Sequence, residues 1–89
     1  MSAYAASKSA VLRLTESLAD ELKAHGVRAN SVLPSTIDTP QNRAAMTKAD
    51  TGKWVTPIQV AEVVAFLLGP GGRSFTGAPV TMDMGWTAR

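Results

Sequence analysis

A tyrosine and a lysine lie four residues apart near the start of the chain, as Tyr4 and Lys8 in the run SAYAASKSA. On an α-helix, two such residues share one face, with their β-carbons about 5–6 Å apart. A nearby ammonium favours the phenolate form of tyrosine and so lowers its pKa from an ordinary value of about 10. A tyrosine tuned in this way suits proton transfer to or from a carbonyl or alcohol oxygen. Because such a pair also arises often by chance, its meaning depends on the rest of the chain.

The element that would position this pair is a helix predicted from Ala3 to about Ala24. Its apolar side chains recur at spacings of three and four, which is typical of a single buried stripe, and they are Val11, Leu14, Leu18 and Leu22. Gly26 follows His25 and can adopt the left-handed conformation that ends many helices. Tyr4 and Lys8 are therefore expected in the first turns of a long amphipathic helix.

A second helix is predicted to begin after Thr56. The Thr56 side chain can cap it, Pro57 suits its first position, and Gln59 completes the spacing of a capping box. The glycines of Gly69–Gly72 end it. The side chains expected on its buried face are Val60, Val63, Val64, Leu67 and Leu68.

Two short apolar runs, Val27–Leu33 and Pro79–Met82, favour buried strands of a parallel sheet. The order is helix, strand, long loop, helix, strand, which indicates the α/β class. Two parallel strands rarely make a whole sheet, so we expect part of a larger one. In the long loop, Asp38 is expected to be a solvated turn carboxylate. Trp54 could contact a substrate or pack on the core, and the pattern does not decide between them.

The composition excludes several classes of function. The 89 residues contain no cysteine and one histidine, which excludes a disulfide framework and makes a metal site unexpected. The net charge of +2 is scattered, so no nucleic-acid partner is expected. No apolar run approaches the roughly 20 residues that cross a bilayer, and no signal peptide is recognisable. We expect a cytoplasmic protein with no membrane partner.

Three motifs in this order resemble the C-terminal part of the short-chain dehydrogenase/reductase family. They are YAASK at Tyr4–Lys8, VRANSVLPSTIDTP at Val27–Pro40, and TPIQVAEVVAFLL at Thr56–Leu68 with TGAPVTMDMGW after it. The resemblance implies a Rossmann-like, doubly wound parallel sheet, of which residues 1–89 are one C-terminal segment. It also implies an NAD(P)-dependent oxidoreductase acting on a carbonyl or alcohol substrate, with NAD or NADP left open.

The resemblance assigns roles to individual residues. Tyr4 would be the catalytic acid and base, and Lys8 would hydrogen-bond the nicotinamide ribose and lower the Tyr4 pKa. Other cofactor contacts would follow the first strand, with a substrate lid over about residues 40–55. Those contacts are Pro34, Ser35, Ile37 and Thr39.

The chain also departs from the family's usual pattern. Ser35 replaces a common glycine after Pro34, and Met84 separates Asp83 from Gly85 where two glycines are usual. The family's Gly-rich cofactor turn and catalytic serine have no counterpart in these 89 residues, so we expect the chain alone to be inactive. A homo-oligomer is expected. The alternative is a non-catalytic association module, or a truncated product that oligomerises or complements an N-terminal half.

Overall fold

The computed structural model describes residues 2–86, apart from the side chains of Ser2 and Tyr4. The described part contains three α-helices and two β-strands, with short 3₁₀ turns at Lys23–His25, Thr51–Lys53 and Pro70–Gly72. The elements in chain order are α1 (Ser2–Leu22), β1 (Ser31–Pro34), α2 (Pro40–Ala45), α3 (Pro57–Leu68) and β2 (Pro79–Met82).

The two strands form a parallel pair, as the sequence predicts. Ser31 lies opposite Pro79 and Pro34 opposite Met82, so the strands run side by side over their whole length. The pairing continues past β1, where the Ser35 N–H donates to the Met82 carbonyl at 2.9 Å. The α/β fold class is confirmed, and β2 occupies the predicted residues.

The strand β1 begins at Ser31, four residues later than predicted. The residues before it bind the loop that leads into β2. Arg28 donates to the carbonyls of Gly72 and Phe75 at 2.8 and 3.1 Å. The Asn30 side chain donates to Phe75 O and accepts from the Ala78 N–H, each at 3.0 Å. A backbone bond from the Gly77 N–H to the Ala29 carbonyl, at 2.7 Å, joins the same two segments, so side-chain and backbone bonds together hold this loop before the strand pairing begins.

The start and stop signals that the sequence predicts for the helix after Thr56 are both present in α3. Thr56 and Gln59 form a reciprocal capping box at the start of α3, with Thr56 N–H to Gln59 Oε1 at 2.8 Å and Gln59 N–H to Thr56 Oγ1 at 3.2 Å. Pro57 occupies the first turn, and α3 stops before Gly69. The buried face is narrower than predicted, because Leu67 is buried whereas Leu68 is 78% exposed and Val64 is also exposed.

The helix α1 ends as predicted, through a 3₁₀ turn and Gly26 with φ of 70°, but it packs through a different face. Val11 and Leu14, which the apolar stripe places inside, are 55% and 59% exposed. Ala19, in contrast, is 6% exposed, and its β-carbon would lie 3.4 Å from a β-carbon added at Gly77. Small residues on both sides thus permit a close approach of α1 to the bend that precedes β2.

The long loop is closed at its base. Ile37 and Val55 form a parallel bridge, in which Val55 N–H donates to Thr36 O at 3.0 Å and Asp38 N–H donates to Val55 O at 2.7 Å. Trp54 is buried, at 8% exposure, so it packs on the core. The predicted lid therefore begins and ends at this bridge, and it contains α2.

No helix in residues 2–86 combines the length and apolar character needed to cross a bilayer.

Candidate functional site

A concave pocket of about 320 Å³ lies between α1 and the carboxyl end of β1. It brings Lys8 and Pro34, two of the predicted site residues, to the same place. In open α/β sheets, ligands bind beyond the carboxyl ends of parallel strands. The pocket is mostly apolar, and its walls are Ser7, Lys8, Val11, Val32, Leu33 and Pro34.

Tyr4 lies one helical turn before Lys8 in α1. Its side chain lies outside the described residues, so the predicted pairing with Lys8 stays a prediction. Lys8 itself is partly buried, as expected for a residue that lines a pocket rather than extends into solvent.

The backbone N–H and carbonyl of Ile37 point away from Val55, the residue with which Ile37 forms a bridge. In its parallel bridge to Val55, the bonds come from the neighbouring Thr36 and Asp38 groups, so the N–H and carbonyl of Ile37 point to the opposite side. The carbonyl accepts a 2.8 Å hydrogen bond from the Asn42 side chain. Among the described atoms, the Ile37 N–H donates to no protein group. Ile37 therefore offers one donor and one acceptor side by side.

The other two predicted contacts are also placed on this segment. Ser35 is exposed immediately after β1. Thr39 caps α2, because its hydroxyl oxygen accepts the Asn42 N–H at 3.1 Å. A hydroxyl that accepts in this way still has its hydrogen to donate. Thr39 can thus serve the helix and a ligand at the same time.

An ion pair braces the same segment. Arg43 donates to both carboxylate oxygens of Asp38, from Nε at 2.6 Å and from Nη2 at 2.9 Å. Hydrogen bonding from the Arg43 guanidinium holds the pKa of the Asp38 carboxyl below its usual value. Asp38 is therefore partly buried and paired, rather than a freely solvated turn carboxylate.

The sequence reasoning missed Asn42 and Arg43. A signal was available, since Thr39-Pro40 followed by two further residues has the spacing of a capped helix start.

In the described residues, no group of three or more His, Asp or Glu is arranged to hold a metal ion. A larger pocket of about 650 Å³ lies between α3 and β2, and among the described residues no predicted cofactor contact lines it.

Two curated relatives are similar to nearly the whole chain. Galactitol 2-dehydrogenase of Rhizobium johnstonii is 41% identical over 95 residues, covering 96% of this chain and 37% of the relative. The short-chain dehydrogenase RED2 of Pyricularia oryzae is 39% identical over 95 residues, covering 94% of this chain and 34% of the relative. The chain thus spans little more than a third of the length of these relatives.

Solved structures agree with this likeness. A short-chain dehydrogenase/reductase family oxidoreductase from Burkholderia thailandensis has a TM-score of 0.83 at 33% identity, covering 98% of this chain and 39% of its own. A blue fluorescent protein from a metagenomic library, in complex with NADPH, has a TM-score of 0.81 at 40% identity, with 96% and 37% covered. The 4-hydroxyisoleucine dehydrogenase complexed with NADH has a TM-score of 0.81 at 31% identity, with 99% and 40% covered.

A family model also matches the chain. The model described as enoyl-(acyl carrier protein) reductase matches residues 1–87, almost the entire chain. The motif order, the parallel α/β architecture and these similarities agree with one another. The chain belongs to the short-chain dehydrogenase/reductase family.

Proposed function

We propose that this chain contributes the acid–base and nicotinamide-facing part of a cytoplasmic NAD(P)-dependent oxidoreductase that interconverts a carbonyl compound and an alcohol. The observation that carries the proposal is the pocket shared by Lys8 and Pro34 at the carboxyl end of β1. Similarity to a galactitol dehydrogenase and to proteins solved with NADH or NADPH supports the same reaction class.

The backbone of Ile37 fits a nicotinamide cofactor. The cofactor's carboxamide has an NH₂ donor and a carbonyl acceptor, and Ile37 offers the complementary carbonyl and N–H on one side. Thr39 has a hydroxyl hydrogen available two residues later. Pro34 lines the Lys8 pocket, and Ser35 follows it directly in the chain, two residues before Ile37. The residues present therefore suit the group that the family resemblance implies.

When bound, the nicotinamide would accept or supply the hydride, which carries two electrons to or from the substrate carbon. Tyr4 then exchanges the accompanying proton with the substrate oxygen. In alcohol oxidation, the Tyr4 phenolate takes the hydroxyl proton while the alcohol becomes a carbonyl. In reduction, the phenol returns that proton to the carbonyl oxygen. Lys8, one turn away, orients the ribose hydroxyls and stabilises the phenolate.

The 89 residues in isolation are proposed to have no appreciable activity. By the family resemblance, the pyrophosphate-binding turn and the serine that orients the substrate oxygen have no counterpart in this sequence. Removing preorganised hydrogen bonds of that kind typically costs about 3–4 kcal/mol of transition-state stabilisation per donor. NAD(P)H oxidation above background by the purified 89-residue chain would contradict this part of the proposal.

The test of the function uses the native gene product, whose intact mass is measured first. Wild-type protein is assayed for NAD(P)H-linked reduction of a panel of ketones and aldehydes, beside Lys8→Met and Lys23→Met. Lys23 is a matched control, because it is an exposed lysine that pairs with Asp20 at 2.8 Å after the end of α1. The proposal predicts that only Lys8→Met weakens cofactor affinity and turnover. Equal activity of the two variants, or no activity in wild type, would refute it.

Association with further copies of the chain is a second candidate function, and exposed apolar side chains favour it. Leu14 on α1 and Ile58, Phe66 and Leu68 on α3 are between 51% and 78% exposed. Burial of such side chains between subunits is favourable by about 25 cal/mol per Å². Sedimentation at rising concentration should show a dimer or larger species, and Leu14→Glu should weaken it more than Ser17→Glu on the same helix. A concentration-independent monomer would exclude association.

A further inference from the structure

Asn42 makes two hydrogen bonds to the segment that follows β1. Its side-chain Nδ2 donates to the Ile37 carbonyl at 2.8 Å, and its backbone N–H donates to the Thr39 hydroxyl at 3.1 Å. Both bonds are partly buried. One residue of α2 therefore holds the two cofactor contacts that flank Asp38.

The neighbouring residue completes this arrangement. Arg43 binds the Asp38 carboxylate through two nitrogens, and its backbone N–H donates to the Thr39 carbonyl at 2.9 Å. Each residue from Ile37 to Thr39 is thus bound by the first turn of α2. These bonds join the start of the lid to the backbone from Ile37 to Thr39.

The side-chain bond of Asn42 is not needed to cap the helix. The cap at Thr39 uses only the backbone N–H of Asn42, which any residue except proline would supply. The amide side chain instead reaches back to the Ile37 carbonyl. A carbonyl oxygen has two lone pairs, so one remains available once Asn42 has bound the other.

We propose that Asn42 is a positioning residue for the cofactor's carboxamide. Its side chain fixes the peptide plane that carries the Ile37 carbonyl, so that the remaining lone pair of this oxygen faces the carboxamide beside the Ile37 N–H. This inference rests on the proposed function, and it adds a residue to the site that the family resemblance did not supply. The chemistry recognised is a primary amide, which donates and accepts through adjacent atoms.

The test compares three ligands on the native gene product. The first is NAD⁺ or NADP⁺, whichever the wild type binds more tightly. The second is the 3-acetylpyridine analogue, in which a methyl ketone replaces the carboxamide and no N–H remains to reach Ile37. The third is the matching ADP-ribose, which has no pyridine ring.

The variants are Asn42→Ala and the isosteric Asn42→Asp, whose carboxylate cannot donate to the Ile37 carbonyl. Gln41→Ala is the matched control, because it removes an exposed amide from the same turn.

The proposal predicts a selective loss. Both Asn42 variants should bind the intact cofactor about fivefold more weakly, as expected for one net hydrogen bond. Affinity for ADP-ribose should stay at the wild-type value, and the preference for the carboxamide over the acetyl analogue should shrink. Gln41→Ala should match wild type with all three ligands.

Three outcomes would overturn the proposal. An equal loss of affinity for all three ligands, with a lower melting temperature, would mean that Asn42 only supports the fold. Unchanged affinity for the intact cofactor in both variants would mean that Ile37 needs no such support. If the wild type binds none of the three ligands, the proposed function itself fails, which is a distinguishable result.

Discussion

The Ser31 hydroxyl donates a 2.6 Å hydrogen bond to the Thr15 hydroxyl across the contact between β1 and α1. Thr15 in turn donates to the Val11 carbonyl at 2.8 Å, one turn earlier in the helix. Ser31 is among the few buried polar residues described in the chain. These two hydroxyl bonds fix the position of α1 along β1, and therefore the position of Lys8 relative to Pro34.

Thr15→Val should destabilise the fold by about 1–3 kcal/mol, because it leaves the buried Ser31 hydroxyl without its acceptor. Ser31→Ala should cost less, about 1 kcal/mol, since Thr15 keeps its bond to Val11. The double variant should then be more stable than the sum of the two losses predicts. Urea denaturation of all four proteins measures this coupling. Strict additivity would show that the two hydroxyls do not interact.

Gly72→Ala should be among the most destabilising single-methyl changes in the described part of the chain. An added β-carbon would lie 2.6 Å from Leu67 Cα and against the Leu67 carbonyl, so backbone must move. Overpacking of this kind costs about 1–3 kcal/mol. Gly52→Ala is the control, because its β-carbon would meet only the Asp50 carboxylate, at 3.2 Å. Thermal unfolding should separate the two, and a Gly72→Ala protein as stable as Gly52→Ala would contradict the packing.

Met84→Gly should stabilise the protein, against the usual effect of a glycine substitution. Met84 has φ of 58°, in the left-handed region that costs a residue with a side chain roughly 1 kcal/mol or more. Relief of this strain should outweigh the entropy added to the unfolded chain. Met46→Gly is the control, since Met46 has φ of −125° and no strain to relieve. A lower melting temperature for Met84→Gly would show that the turn does not store this strain.

The Asp38–Arg43 pair should make stability depend on pH at the acidic end. Hydrogen bonding from Arg43 depresses the folded-state pKa of Asp38, so the pair stabilises the fold above the unfolded pKa of about 4. That contribution is lost as the pH falls through the folded-state pKa. The stability difference between wild type and Asp38→Asn should therefore shrink below about pH 4. Added salt should reduce it as well, because both side chains retain exposure.

The control for this pair is Asp20→Asn. Asp20 also has a pKa lowered by its bond to Lys23, but its side chain is much more exposed, at 76% against 24% for Asp38. The pH-dependent difference should accordingly be smaller at Asp20. An Asp38→Asn variant with the same acid sensitivity as wild type would rule out a stabilising role for the pair.

Local signals predicted the ends of the helices well, because those ends depend on a few adjacent residues. Thr56 with Gln59 and the left-handed Gly26 act through bonds and dihedral angles within one turn. The face of α1 was predicted wrongly, because its contacts come from distant residues. Ala19 is buried through the absence of a side chain at Gly77, and this pairing does not show in an apolar stripe.

In the candidate site, too, the sequence predicted the residues of local motifs and missed a contact that depends on the folded loop. The family motif placed Lys8, Pro34, Ile37 and Thr39, and the structure brings the first two to one pocket. Asn42 was missed because its role depends on the loop folding back on itself, so that an amide in α2 reaches the Ile37 carbonyl. Trp54 could not be resolved from sequence, since a lid tryptophan can face either a substrate or the core.

The assignment of Tyr4 as the proton donor and acceptor is tested by the turnover number of Tyr4→Phe in the native gene product, with the carbonyl substrate that the wild type reduces best. Phenylalanine keeps the ring and removes only the hydroxyl that carries the proton. We predict a loss of roughly 10²- to 10⁴-fold in turnover, with cofactor affinity close to that of wild type. A variant that keeps turnover within about twofold of wild type, far less than acid–base catalysis typically supplies, would contradict the assignment of Tyr4 as the catalytic acid and base.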